Sequence, residues 1–193
     1  QNVDSFLKKI VNKYGPPTSF INASYPKTKD WSRNSYKHIK LKSYLKNINI
    51  HMNSYIWIAK KIADQMIKYK IKNGSIVLLS SIYGILGQDL ELYKNTKMAE
   101  SMSYSAIKGG INNCVRSMAS YYGSRNIRVN SIIAGGVLDK QNKIFVKRYK
   151  NKTPLSRMAK PEEIALSTLF LISDASSYIT GSSMVVDGGY SIL

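Results

Sequence analysis

Residues 76–79 read Ile-Val-Leu-Leu, four apolar side chains with no polar alternation. A strand sends successive side chains to opposite faces, so such a run is buried on both. Sheets covered on both faces are parallel sheets with helices packed above and below. The flanking sequence agrees. Upstream, Met52, Tyr55, Ile56, Ala59, Ile62, Ala63, Met66 and Ile67 recur at helical spacing, with Lys60, Lys61, Asp64 and Lys68 off that face. Downstream, Ile107, Ile111, Cys114, Val115, Met118 and Tyr122 make a second helical face, with Gly123 as its expected stop.

The rest of the chain continues the alternation. Phe6, Leu7, Ile10, Val11 and Tyr14 are helically spaced, Gly15 is a C-terminal stop and Pro16-Pro17 block continuation. Thr18 to Asn22 reads as a short strand, and residues 24–45 as an irregular polar segment running into a helix. A long loop covers roughly 82–102, and Ile127 to Ile133 is strand-like. Pro161 opens a helix that reaches Ile172, with Glu162 and Glu163 in the first turn, where the helix dipole favours anions. Met184 to Val186 is a last strand before Asp187-Gly188-Gly189. This order predicts an α/β fold: one domain over residues 1–193, a doubly wound, Rossmann-like parallel sheet in three αβα layers. Ligands in such sheets bind beyond the strand C-termini, here the loops after Asn22, Ser81 and Ile133.

Composition narrows the partners. No apolar run approaches the ~20 residues of a membrane span, and the N-terminal segment has no apolar signal core. Cys114 is the single cysteine, so no internal disulfide and no metal site are expected, and a cytoplasmic location is the simplest. Lys and Arg number 29 against 11 Asp and Glu, a net charge of +18. The lysines are scattered singly or in pairs, without a recognition motif or an aromatic-basic stacking pattern. The expected partner is therefore a small-molecule substrate, with no nucleic acid and no membrane, although anionic ligands are attracted.

The chemistry gathers at one strand end. The strand at 76–79 runs into Ser80-Ser81, and the following helix opens with Tyr104-Ser105-Ala106-Ile107-Lys108. Tyr104 and Lys108 are one helical turn apart on a shared face. A phenol ordinarily ionises near pH ~10 and is a poor base at neutral pH. A cation ~5 Å away favours phenolate by roughly 3 kcal/mol at an effective dielectric of ~20. The trio thus suits proton transfer at an alcohol oxygen, with Ser81 hydrogen-bonding that oxygen. Tyr and Lys four apart are also a common surface pair; the surrounding order of elements favours the chemical reading.

At this point the chain resembles the short-chain dehydrogenase/reductase family, over essentially its whole length. Ser81-Ile82-Tyr83-Gly84 is similar to the catalytic serine segment, and Tyr104 with Lys108 to YxxxK. Asn22-Ala23 resembles the end of the NNAG element. Arg128-Val129-Asn130 with Ala134-Gly135-Gly136-Val137 resembles RVN…PG. Pro161-Glu162-Glu163-Ile164-Ala165, Ile179-Thr180-Gly181 and Asp187-Gly188-Gly189 follow in family order.

The resemblance implies NAD or NADP as cofactor and a homodimer or homotetramer. It implies Tyr104 as general acid/base, Lys108 as the group that lowers its pKa and binds the nicotinamide ribose, and Ser81 as the anchor of the substrate oxygen. Gly135 and Val137 fall at the nicotinamide, Asn22 and Ala23 toward the adenosine side. His51 stands where the family usually has a catalytic Asn. It reads equally as part of a water-linked proton relay or as a helix-start residue.

Departures from the pattern set further expectations. The family's first strands and glycine-rich phosphate turn are absent from this sequence. That predicts weak cofactor binding by this chain and an exposed sheet edge at 18–22, with an impaired remnant or binding scaffold of the same fold as the alternative. Ala134 replaces a proline. Ser81 and Tyr104 stand 23 residues apart, wider than the family spacing, which places an insertion within Ile85 to Ser103 at the substrate mouth. Within it, Asp89, Glu91 and Tyr93 read as sugar contacts or as solvated loop residues. The insertion, His51 and Ala134-Gly135-Gly136-Val137-Leu138-Asp139 resemble oxidoreductases of flagellin modification and nonulosonic-acid biosynthesis. They imply a sugar-like substrate, phosphorylated or nucleotide-linked. Gly109-Gly110 predicts close helix packing at a dimer interface, with cofactor approach as the second reading.

Overall fold

The computed structural model describes residues 3–193. Four strands form one parallel sheet in the order β1 (Ser19–Asn22), β2 (Gly74–Leu79), β3 (Ile127–Ala134), β4 (Ser183–Val186). Six helices surround it: α1 (Val3–Tyr14), α2 (Leu41–Asn47), α3 (Ser54–Lys68), α4 (Met102–Tyr122), α5 (Lys143–Asn151) and α6 (Pro161–Ile172).

The run at 76–79 behaves as its lack of alternation requires. Ile76 and Leu78 join the core formed by α1, α3 and α4, while Val77 faces the other way, onto Ile164 and Leu171 of α6. β3 divides likewise: Val129 packs with the first cluster and Ile132 with the second. The expected three-layer Rossmann-like architecture is therefore present. β1 lies at a sheet edge, with Ile21 exposed.

Helix ends follow local rules, with one exception. Gly15 adopts φ +84° and its N–H reaches the Val11 carbonyl, closing α1. In α6 the Glu163 carboxylate accepts from the Lys160 N–H at 2.7 Å, one residue before Pro161. Gly123, the expected stop of α4, is right-handed (φ −56°) and continues into a 3-10 turn. The left-handed residue is Asn126 (φ 58°), whose short polar side chain tolerates that conformation.

Two features were not anticipated. α5 is a short helix in which basic and apolar residues are mixed, and it buries Phe145 and Tyr149. Between α2 and α3 the chain does not break. Residues Ile48–Asn53 continue the same rod as a π-helical turn, and its buried residue is His51. Among the described residues, no helix is long and apolar enough to cross a membrane.

Candidate active site

β2 ends at Leu79, and the next residues turn sharply beneath the N-terminal half of α4. Ser80 Oγ donates to the Lys108 carbonyl at 3.2 Å, and Asn112 Nδ2 donates to the Gly84 carbonyl at 3.3 Å. Gly84 is required by this approach, since a Cβ there would stand 2.8 Å from the Lys108 backbone. The turn thus fixes Ser81 beside the first turns of α4.

The structure brings Ser81, Tyr104, Lys108 and His51 close to one another. Ser81 Oγ accepts from the Tyr83 N–H at 3.2 Å, and it lies near enough to the Tyr104 phenol to favour its ionised form. Lys108 is buried, donating from Nζ to the Leu79 carbonyl at 2.9 Å and lying 3.5 Å from His51 Nε2. The same ammonium sits over the Tyr55 and Tyr104 rings, 5.2 and 5.5 Å from their centroids.

The electrostatics depart from the sequence expectation. Burial holds the Tyr104 phenol above its ordinary value, and the Ser81 hydrogen bond opposes that only in part. Lys108 was expected to lower this pKa. Its own charge is instead disfavoured by burial, which brings Lys108 down to about 8. Its ammonium is turned toward a carbonyl and an imidazole rather than the phenol oxygen. His51 is lowered to about 4 by burial first and the Lys108 charge second, with the Pro26 backbone opposing. An ammonium only donates, so His51 Nε2 is the acceptor and Nδ1 carries the proton. That Nδ1 is buried without a hydrogen bond of ordinary geometry.

A cavity of about 410 Å³ opens above this cluster. Ser81, Tyr104, Gly135 and Val137 all line it, as expected. Gly135 is held by its N–H on the Val186 carbonyl at 2.9 Å, and a Cβ there would overlap Asp187. Asn22 and Ala23 lie apart, at the end of β1. Asn22 is buried and its Oδ1 accepts from Ser24, both backbone and hydroxyl.

The cavity walls were largely invisible in the sequence. Trp31, Phe145, Tyr149 and Met158 line it, and none carries a motif; Tyr83, from the Ser81–Gly84 segment, lines it as well. Tyr93, noted in the sequence, lines it too, as does Tyr25. Tyr25 stands edge-on to Trp31, His51 and Tyr104 at 5.4 to 5.8 Å. No lining residue carries a charge. Asp89 and Glu91 do not line it: Asp89 pairs with Lys152 and Glu91 with Lys94. The Gly109-Gly110 pair also serves this chain itself. Gly110 lies under Met52 of the π turn and Gly109 near the Gly84 carbonyl, so the first cause of the small residues is packing within the chain.

Comparison with known proteins agrees with this geometry. A protein-family profile described as Enoyl-(Acyl carrier protein) reductase matches residues 1–191. Post-translational flagellin modification protein A of Campylobacter coli is 33% identical over 192 residues, covering 100% of this chain and 74% of that protein. A 3-oxoacyl-[acyl-carrier-protein] reductase of Thermotoga maritima is 30% identical, over 97% of this chain and 71% of its own length. Among solved structures, a short chain dehydrogenase from Leptospira borgpetersenii with bound NAD+ superposes with a TM-score of 0.87 at 25% identity. It covers 97% of this chain and 70% of that one.

Proposed function

The chain belongs to the short-chain dehydrogenase/reductase family, and on that premise we propose that it interconverts a secondary alcohol and a ketone with NAD or NADP, on a sugar-like substrate. One observation carries the reading. Ser81, Tyr104 and Lys108 converge at the C-terminal end of β2, where a single aromatic cavity opens over them. The residues present fit a nicotinamide cofactor, because the uncharged segment Ala134–Val137 lines the same cavity as Ser81 and Tyr104. When bound, that cofactor supplies the hydride acceptor or donor.

The protein's own residues handle the proton and the oxygen. Tyr104 Oη gives a proton to, or takes it from, the substrate oxygen. Ser81 Oγ bonds the same oxygen and limits the charge that builds on it. Lys108 has three donors, two of which are used on Leu79 and His51; the third is free for a ribose hydroxyl. His51, neutral at physiological pH, accepts from Lys108 and holds it in place.

The uncharged aromatic wall favours a neutral polyhydroxylated ring, stacked on Trp31 or Tyr25, over a group phosphorylated at the reacting end. Leu166, Leu169 and Phe170 on α6 and Val185 on edge strand β4 are exposed apolar residues, which supports a homodimer or homotetramer. A reducing cytoplasm suits the lone Cys114.

Calorimetric titration with NADH and NADPH measures cofactor choice directly. Turnover is then followed by nicotinamide absorbance on neutral aldoses and on their phosphates. Tyr104→Phe is expected to abolish turnover while leaving the circular dichroism spectrum unchanged. Retained activity in that variant means that the base is another group.

A further inference from the structure

The inserted segment between Ser81 and Tyr104 is packed, not loose. Leu92 is fully buried with Phe145 and Tyr149, and the Tyr93 ring lies 5.6 Å from that of Phe145. One polar side chain joins this segment to the helix that carries Tyr104. Gln88 Oε1 accepts from the Ser101 N–H at 3.0 Å, and Nε2 donates to the Ser101 carbonyl at 2.8 Å. The side-chain amide therefore pairs with both peptide groups of Ser101, as a neighbouring strand would. Nε2 also donates to Ser105 Oγ at 2.9 Å, and the Tyr93 hydroxyl donates to Oε1 at 3.4 Å.

Ser101 is the N-cap of α4. Its Oγ accepts from the Tyr104 N–H at 3.3 Å, the bond that closes the first turn around the tyrosine. The alternative bond for that turn, Ser105 N–H to the Ser101 carbonyl, is long at 3.5 Å, whereas Gln88 reaches the same carbonyl at 2.8 Å. An amide suits this position because it has two donors and an acceptor; a carboxylate only accepts.

We propose that Gln88 is a positioning residue that locks the inserted loop to the first turn of α4, so that the wall of the substrate cavity and the Tyr104 phenol move as one unit. The role as a catalytic positioner rests on the reading of Tyr104 as acid/base. The mechanical coupling does not, and it is what the experiment reads.

The test uses the 193-residue chain with Gln88→Ala and Gln88→Glu. Hydrogen exchange is followed at the amides of 86–101 and 102–105. Tyrosine labelled with ¹³C at Cζ reports the titration of Tyr104, assigned by its loss in Tyr104→Phe. With Gln88→Ala, exchange is expected to quicken about tenfold or more in both segments, with the remainder of α4 unchanged. The Tyr104 titration should fall by about one pH unit as water reaches the phenol. Gln88→Glu keeps the two acceptor contacts but sets a carboxylate oxygen against the Ser101 carbonyl, so exchange should quicken in both segments, while its charge opposes the fall in the Tyr104 titration. If Gln88→Ala does not fold, the exchange reading is taken on Gln88→Glu, and quickening confined to 86–101 overturns the proposal.

Acceleration confined to 86–101, with 102–105 and the Tyr104 titration as in the parent, overturns the proposal: the loop is then pinned by Leu92 alone. Neither reading requires turnover. Activity surviving in Tyr104→Phe would remove the catalytic assignment and leave the coupling measured here intact.

Discussion

Two glycines three residues apart in the same loop should respond oppositely to one methyl group. A Cβ on Gly84 would stand 2.6 Å from Asn112 Nδ2 and 2.8 Å from both the carbon and the oxygen of the Lys108 peptide. Carbon–carbon contacts relax at ~3.5 Å or more, so the turn or the helix must give by well over half an ångström. The Asn112 amide can swing aside, but the Lys108 backbone sits in the middle of α4 and cannot. Overpacking of this kind costs about 1–3 kcal/mol. For a chain of this size, 2 kcal/mol lowers Tm by roughly 4–8 °C. Gly87 has open space around its Cβ position and no positive φ. Alanine there restricts the unfolded chain and should stabilise by about 0.4–1 kcal/mol. Urea denaturation of the two variants, with the m-value checked for constancy, separates them. Because the Gly84 turn also carries Ser81, Gly84→Ala should further depress turnover, whereas Gly87→Ala should not. A Gly84→Ala midpoint equal to the parent's would refute the claim that this turn is pressed against α4.

His51 gives a pH signature. Its folded pKa, about 4, lies below the ordinary ~6.5, so as pH falls the unfolded chain takes up the proton first. The stability owed to neutral His51 is complete above pH ~6.5 and is lost as pH falls toward 4, by on the order of 2 kcal/mol. His51→Asn should lose less stability than the parent between pH 7 and 4.5 in urea melts; equal losses would mean the imidazole is not buried neutral. Arg128 is a structural counterpart. Its guanidinium donates to the carbonyls of Leu171, Ser173 and Ile179 and to Ser176 Oγ, tying β3 to the end of α6. Arg128→Lys cannot span these acceptors and should cost about 2 kcal/mol by thermal melting.

What the residues announced and what they concealed follows the range of each interaction. Ile76 to Leu79 declared a two-faced strand because both faces of a parallel sheet demand the same side-chain type. Tyr104 and Lys108 declared a shared face because helical spacing is local. Concealed were features that depend on what another segment brings. α5 is only nine residues long, and its helicity is secured by Phe145 and Tyr149 meeting the loop that carries Leu92. Trp31 and Met158 became cavity walls only through the packing of distant segments. Gly123 looked like a stop on residue type alone, yet the chain turned three residues later at Asn126. The environment of Tyr104 depends on distant packing in the same way. Helical spacing fixes that a lysine is near, while burial and the carbonyl of Leu79 decide where its charge is spent.

The π turn at Ile48–Asn53 has an evolutionary corollary. A π turn is an α-helix carrying one surplus residue, and the surplus rotates everything after it by about 100°. Losing a single codon within 48–53 would restore a regular helix and swing His51 away from Lys108. The same deletion would turn the buried face of α3, made by Tyr55, Ala59, Ile62, Ala63 and Met66, by that angle relative to Ser43 and Asn47 of α2. The surplus residue is therefore what lets one continuous rod bury both faces and His51 together.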